Sequence, residues 1–162
     1  MVVKALRKFI LLTIVCGAVA GSAFAQKRAK TFTGNWNWAV YGKDKSDLPP
    51  AYRDMDLKEV PAYAVDLTLR QRGKRLKGSF GIVARYLARV DEGDFVTTVT
   101  GNRATIKLTS NFGGSATVTM TLQGNKLLWK VIRSTGENYF PKETVLRRLR
   151  PGEKLPYEAE EP

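Results

Sequence analysis

The sequence predicts an all-β protein: an antiparallel up-and-down β-barrel of about eight strands behind an N-terminal signal peptide. Three observations predict it. Apolar and polar residues alternate with period two through the body of the chain. The alternating runs are short and are joined by tight, glycine-containing turns. A meander of this kind leaves two open edges, and closing into a barrel removes them.

The elements follow in order. Phe32, Gly34, Trp36, Trp38 and Val40 share one face of the first strand, between polar Thr31, Thr33, Asn35 and Asn37. Val65, Leu67 and Leu69 alternate with Asp66, Thr68 and Arg70. The turn Arg72-Gly73-Lys74 leads to Leu76, Gly78, Phe80 and Ile82. Residues 83–94 read as a wide hairpin running into the acidic loop Asp91-Glu92-Gly93-Asp94; Val83, Leu87 and Val90 also fit one helical turn. Strands follow at Phe95–Thr100, Ala104–Thr109, Ala116–Leu122 and Leu127–Ile132, with turns at Gly101-Asn102, Gly113-Gly114 and Gly124-Asn125. Thr117, Thr119 and Thr121 alternate with Ala116, Val118, Met120 and Leu122, a strong strand pattern. Glu143–Leu149 is the last strand.

Two segments stand outside the pattern. Residues 42–62, with Pro49, Pro50 and Pro61, read as a long loop carrying a short helix around Ala51–Lys58. Residues 151–162 read as a mobile acidic tail. The barrel domain is then 26–150.

The N-terminus supplies an address. Lys4, Arg7 and Lys8 precede an uncharged apolar run from Phe9 to Ala20, and Ala23-Phe24-Ala25 stands before Gln26. This is the layout of a signal peptide cleaved after Ala25, which places the mature protein in the periplasm or outside the cell. Cys16 falls in the apolar run. Val15 and Thr13 occupy the positions where a lipidation motif has a small residue and a leucine.

Composition excludes much chemistry. The 162 residues are 43% hydrophobic and 26% charged, which suits one small globular domain. There is no histidine and one cysteine. Ser-His-Asp triads, Cys-His pairs and His-ligated zinc are therefore excluded. No glycine-rich phosphate loop is present. No enzyme activity, cofactor or metal is expected, and no integral membrane span. Without the first 25 residues, 24 Lys and Arg stand against 15 Asp and Glu. That field favours anionic partners such as lipid head groups, acidic polymers or other envelope components.

Gly34-Asn35-Trp36 opens the first strand, and Arg147 and Arg148 stand in the last, within Thr144-Val145-Leu146-Arg147-Arg148-Leu149. On these residues the chain resembles the calycins (lipocalins, avidin-like and fatty-acid-binding proteins) over most of 31–150. It also resembles the small secreted bacterial barrels of that type. The resemblance implies that Trp36 closes one barrel end with an arginine packed over it. Gly34, Trp36, Arg147 and Arg148 are then the structural signature.

The candidate site residues come from faces and loops. Trp38, Trp129 and Phe80 fall on inward faces, as the wall of a ligand cavity or as barrel core. Arg85-Tyr86-Leu87-Ala88-Arg89 puts two cations and an aromatic in a hairpin loop. There Arg85, Tyr86 and Arg89 can hold a carboxylate or phosphate at a barrel mouth. Lys74, Arg75 and Lys77 read as surface charge. Asn138-Tyr139-Phe140-Pro141 reads as packing under a barrel end rather than as an exposed contact surface. Asp91, Glu92 and Asp94 read as turn residues, not as a catalytic or metal site.

Two functions compete. In the first, the barrel binds a small apolar or amphiphilic anionic ligand, lipid-like in kind. In the second, the barrel is filled, and the chain is an interaction or inhibitor protein whose basic loops bind an envelope component or macromolecule. Nucleic-acid binding ranks last, because the tryptophans point inward.

Overall fold

The structure, a computed structural model, describes residues 31–157. The expected signal peptide and the last five residues lie outside the described residues. Eight strands run in order: β1 (Gly34–Tyr41), β2 (Pro61–Arg72), β3 (Arg75–Ala84), β4 (Arg89–Thr100), β5 (Arg103–Thr109), β6 (Ser115–Gln123), β7 (Lys126–Thr135) and β8 (Glu143–Arg148). Each pairs antiparallel with the next, and β8 returns to β1 to close the barrel. Among the described residues no helix is long and apolar enough to cross a membrane.

Alternation decides what points inward. On β5 and β6, Ala104, Ile106, Leu108, Ala116, Val118, Met120 and Leu122 are buried while their neighbours are not. The turns that reverse the chain at one end use Gly73, Gly101 and Gly124 at φ +56°, +61° and +61°. That left-handed region strains any residue with a Cβ.

The interior is filled by large side chains set against small ones. Phe80 on β3 faces Gly93 on β4. A Cβ at Gly93 would lie 3.0 Å from the Phe80 ring. A Cβ at Gly78 would lie 2.5 Å from Leu69 and 2.6 Å from Phe95. The two glycines are thus the space in which the rings sit. Trp36, Trp129, Leu67, Ile82, Met120 and Leu146 belong to the same contiguous buried cluster.

Two seams are short. β4 pairs with β5 only through Val99/Ala104 and Thr100/Arg103. β1 pairs with β8 only through Trp36/Arg148 and Asn37/Arg147. Beyond the first seam, the Thr97 hydroxyl donates to the Thr105 carbonyl at 2.6 Å. Across the second, the Leu149 amide donates to the Asn35 carbonyl at 2.8 Å.

Several expectations are corrected. The 83–94 region is not a wide hairpin. β3 runs to Ala84, a four-residue turn covers 85–88, and β4 begins at Arg89. The acidic run is therefore strand, with Asp91 buried and Glu92 exposed. In place of a helix around Ala51–Lys58 there are three single 3-10 turns, Lys45–Asp47, Pro50–Tyr52 and Leu57–Glu59. Asp44 and Asp56 cap the first and third. Buried Leu48 and Val60 hold this loop to the body. The stretch read as a mobile tail is docked as far as Tyr157. Leu155 is buried, and the Tyr157 hydroxyl donates to the Asp66 carboxylate at 2.9 Å. Asn37 donates to both partners, at 2.6 Å to Tyr157 and 2.8 Å to Asp66.

Candidate functional site at the Tyr139 end

The two barrel ends are closed differently. At the first, residues 31–33 fold over the Trp36 indole, whose Nε1 donates to the Phe32 carbonyl at 2.9 Å. The Arg148 guanidinium lies 4.3 Å from the Trp36 ring centroid. It donates to the carbonyls of Thr33 and Thr31, the latter at 2.6 Å. A Cβ on Gly34 would meet Arg148 Nη1 at 3.1 Å, so the glycine makes room for the arginine. Arg148 thus fills the place expected of Arg147 or Arg148. Arg147 points outward and pairs with Glu153 at 2.6 Å. This follows from parity: Leu146 is inward, so Arg148 is inward and Arg147 is not.

The other end is closed by the loop between β7 and β8. Phe140 and Pro141 are buried. The Phe140 ring meets Phe80 edge-on at 6.1 Å, and the Pro141 carbonyl accepts from Trp129 Nε1 at 2.9 Å. Tyr63 donates its hydroxyl to the Tyr139 carbonyl. The same loop presses on the β5–β6 turn. A Cβ at Gly114 would lie 2.2 Å from the Glu137 carbonyl oxygen, so only glycine fits there.

Above this plug sits a cationic and aromatic cluster. The Arg85 guanidinium lies 5.2 Å from the Tyr139 ring centroid, and that of Arg89 lies 6.0 Å from it. Arg89 also lies 5.4 Å from Phe112, which meets Tyr139 edge-on at 5.2 Å. Arg89 Nε donates to the Tyr139 hydroxyl at 3.4 Å, and that hydroxyl donates to Glu137 at 2.6 Å. Neither arginine forms an ion pair among the described residues. Arg85 is exposed and Arg89 half-buried.

The backbone that carries these arginines is strained. Arg85, Tyr86 and Leu87 have φ of +53°, +54° and +65°. A left-handed residue with a side chain costs roughly 1–2 kcal/mol. Three in succession persist only where the surroundings hold them. Tyr86 N donates to the Ala62 carbonyl at 3.4 Å, and Ala88 N to that of Arg85 at 3.2 Å.

Asp91 anchors the cluster from below. The residue is 1% exposed, and its carboxylate is turned to the β5–β6 turn. It accepts from the Ser110 hydroxyl at 2.8 and 3.0 Å and from the Asn111 amide at 2.6 Å. β4 is thereby tied to the β5–β6 turn where their ladder has already ended. Burial, and next the Asp91 charge, pushes the nearby Tyr63 phenol up from 10.0 to about 12. Burial and Asp66 likewise push Tyr157 upward.

These shifts predict an alkaline weakness. An unfolded tyrosine ionises near pH 10, while folded Tyr63 keeps its proton to about 12. Below pH 10 both states are neutral and the contribution is whole. Between 10 and 12 the unfolded state loses the proton first, so stability falls as pH rises. Urea midpoints measured across this range should drop, and Tyr63→Phe should flatten the drop.

The expected site residues thus separate. Arg85, Tyr86 and Arg89 lie together at the rim, Tyr86 half-buried. Trp129 and Phe80, expected to line a cavity, are packed in the core. Trp38 is half-buried, edge-on to Tyr63 at 5.6 Å. It packs against the core and also borders a groove of about 430 Å³ where β1 and β8 part, beside Lys58, Val145, Arg147 and Leu155. Phe112, Ser110, Tyr63 and the inward role of Asp91 were not expected at the site. Only Tyr139 had a sequence signal, its place in Asn138-Tyr139-Phe140-Pro141.

Comparison with protein-family models, with curated proteins and with solved structures gave no match.

Proposed function

We propose that the chain is an exported, non-enzymatic barrel of calycin type that works by binding through its surface. Its Arg85–Arg89 rim holds a carboxylate or phosphate presented by an envelope component or macromolecule. One observation carries this reading: two guanidiniums with no ion-pair partner among the described residues lie 5.2 and 6.0 Å from the Tyr139 ring centroid, at a plugged barrel end. Tyr139 holds both cations at the rim. Arg89 donates Nε to the Tyr139 hydroxyl and Nη1 to the Ala88 carbonyl, so an anion would be met by Arg89 Nη2 together with the Arg85 guanidinium. The calycin assignment is supported by Gly34, Trp36 and Arg148, and export by Ala23-Phe24-Ala25.

The carrier reading keeps one supporting observation. The groove beside Trp38 combines apolar Val145 and Leu155 with Lys58 and Arg147, a lining that suits a small amphiphilic anion. Such a ligand would lie on the wall, not within the barrel.

Calorimetric titration with pyrophosphate and with hexaglutamate tests the rim. Binding of either should weaken at least about tenfold in Arg85→Gln/Arg89→Gln. Arg89→Lys should not restore it, since an ammonium lacks the planar fork. Equal binding by wild type and double variant removes the rim from the account.

A further inference from the structure

The outer face of the β2–β3 hairpin carries a ladder of cations far from the rim. Register places Arg70 opposite Lys77 and Arg72 opposite Arg75, with Lys74 in the turn between. All five are exposed, and none forms an ion pair among the described residues. Like charges placed directly opposite one another destabilise a sheet. Two such rungs in succession are a cost that the fold gains nothing from. The rungs stand about 7 Å apart along the strands. The first acids on this face are Asp94, opposite Ser79, and Asp66, opposite Gly81. They lie two and four residues beyond Lys77.

The ladder continues into a polar groove. Thr98 on β4 is opposite Arg75, and Thr100 is opposite Arg103. Thr97, Thr98, Thr100, Asn102, Arg103 and Thr105 line a groove of about 450 Å³ on this wall. Hydroxyls and one amide therefore lie between Arg75 and Arg103. No aromatic lines it, so nothing offers a base a stacking surface. Val96 is the one large exposed hydrophobic on these strands near the ladder, too little to insert into a bilayer.

We infer that this face is a second binding surface, for a linear anionic polysaccharide. The cation rungs meet sulfate, phosphate or carboxylate groups recurring along the chain, and the threonine groove meets sugar hydroxyls. This surface is independent of the Arg85–Arg89 rim.

Heparin is a suitable probe, titrated against the mature chain at several salt concentrations. Binding should weaken steeply with salt as counterions are released. Arg72→Ser/Arg75→Ser should lose about tenfold or more, with no fall in melting temperature, since a repulsive pair is removed. Lys107→Ser/Arg133→Ser makes the same charge change on the β5 and β7 wall, and should stay within about twofold. An equal loss in that control would reduce the effect to net charge and overturn the inference. So would tighter binding of single-stranded oligothymidylate or of phosphatidylglycerol vesicles than of heparin. The rim variant Arg85→Gln/Arg89→Gln should bind heparin as wild type does. If it alone loses heparin, the ladder is not the site.

Discussion

Replacing Trp129 with alanine is expected to lower the unfolding free energy by about 3–5 kcal/mol. The indole has no exposed surface and sits opposite Met120 and Thr144, at the centre of the filled interior. Its removal leaves a cavity that strands fixed on both sides by hydrogen-bonded ladders cannot collapse. A second cost follows from the lost Nε1–H. The buried Pro141 carbonyl, which accepts from it at 2.9 Å, is left without that donor. An unmet buried acceptor costs roughly 1–3 kcal/mol. The β7–β8 plug is seated by this bond and by Phe140, so Tyr139 loses its fixed position too. Urea unfolding should show a much lower midpoint at similar slope. Trp38→Ala, at a half-buried ring, should fall by less than half as much.

Asp91→Ala is the second large effect, expected at about 3 kcal/mol. Hydrogen bonds to a charged group contribute roughly 1.5–3 kcal/mol each and do not simply add. Here one carboxylate accepts from the Ser110 hydroxyl and the Asn111 amide, and the variant leaves both donors unmatched. The position also bridges the seam where β4 and β5 have only two paired positions. Amide exchange should therefore accelerate first in the β5–β6 turn, near Asn111 and Gly113. Asp91→Asn keeps an acceptor oxygen and should lose less. Equal losses for Asn and Ala would show that the charge, rather than the bridging geometry, is what matters.

The strands were legible because one physical cause dominates them. A wall with one buried face demands period-two alternation, and the chain shows it most cleanly on β5 and β6. Glycines such as Gly101 and Gly124 marked the reversals. The 83–94 region failed for a related reason. Asp91 occupies an inward position, and its burial depends on donors 19 and 20 residues away. A polar residue in an apolar slot reads locally as a turn. The rim was half legible. Arg85 and Arg89 stood in one loop, but their platform, Tyr139, is supplied by a loop 50 residues further along. Parity predicted an inward Trp38 correctly. It could not predict that β1 and β8 part beyond Asn37 and leave that ring half open to solvent. The tail misled because its composition suggested a free end, whereas Leu155 and Tyr157 are anchors.

In the proposed reading the barrel interior is core and anions are met at the Arg85–Arg89 rim. That reading is tested by an NMR titration of residues 26–162, the chain without its expected signal peptide, with monomeric dodecyl phosphate. It follows the methyl signals of Ile82, Ile106, Val118 and Met120 together with the Nε–Hε signals of the arginines. Arg85 and Arg89 should move while the methyl signals of the four interior residues stay in place. Movement of those methyls, with Arg85 and Arg89 unchanged, would mean that the alkyl chain enters the barrel and that the protein is a carrier.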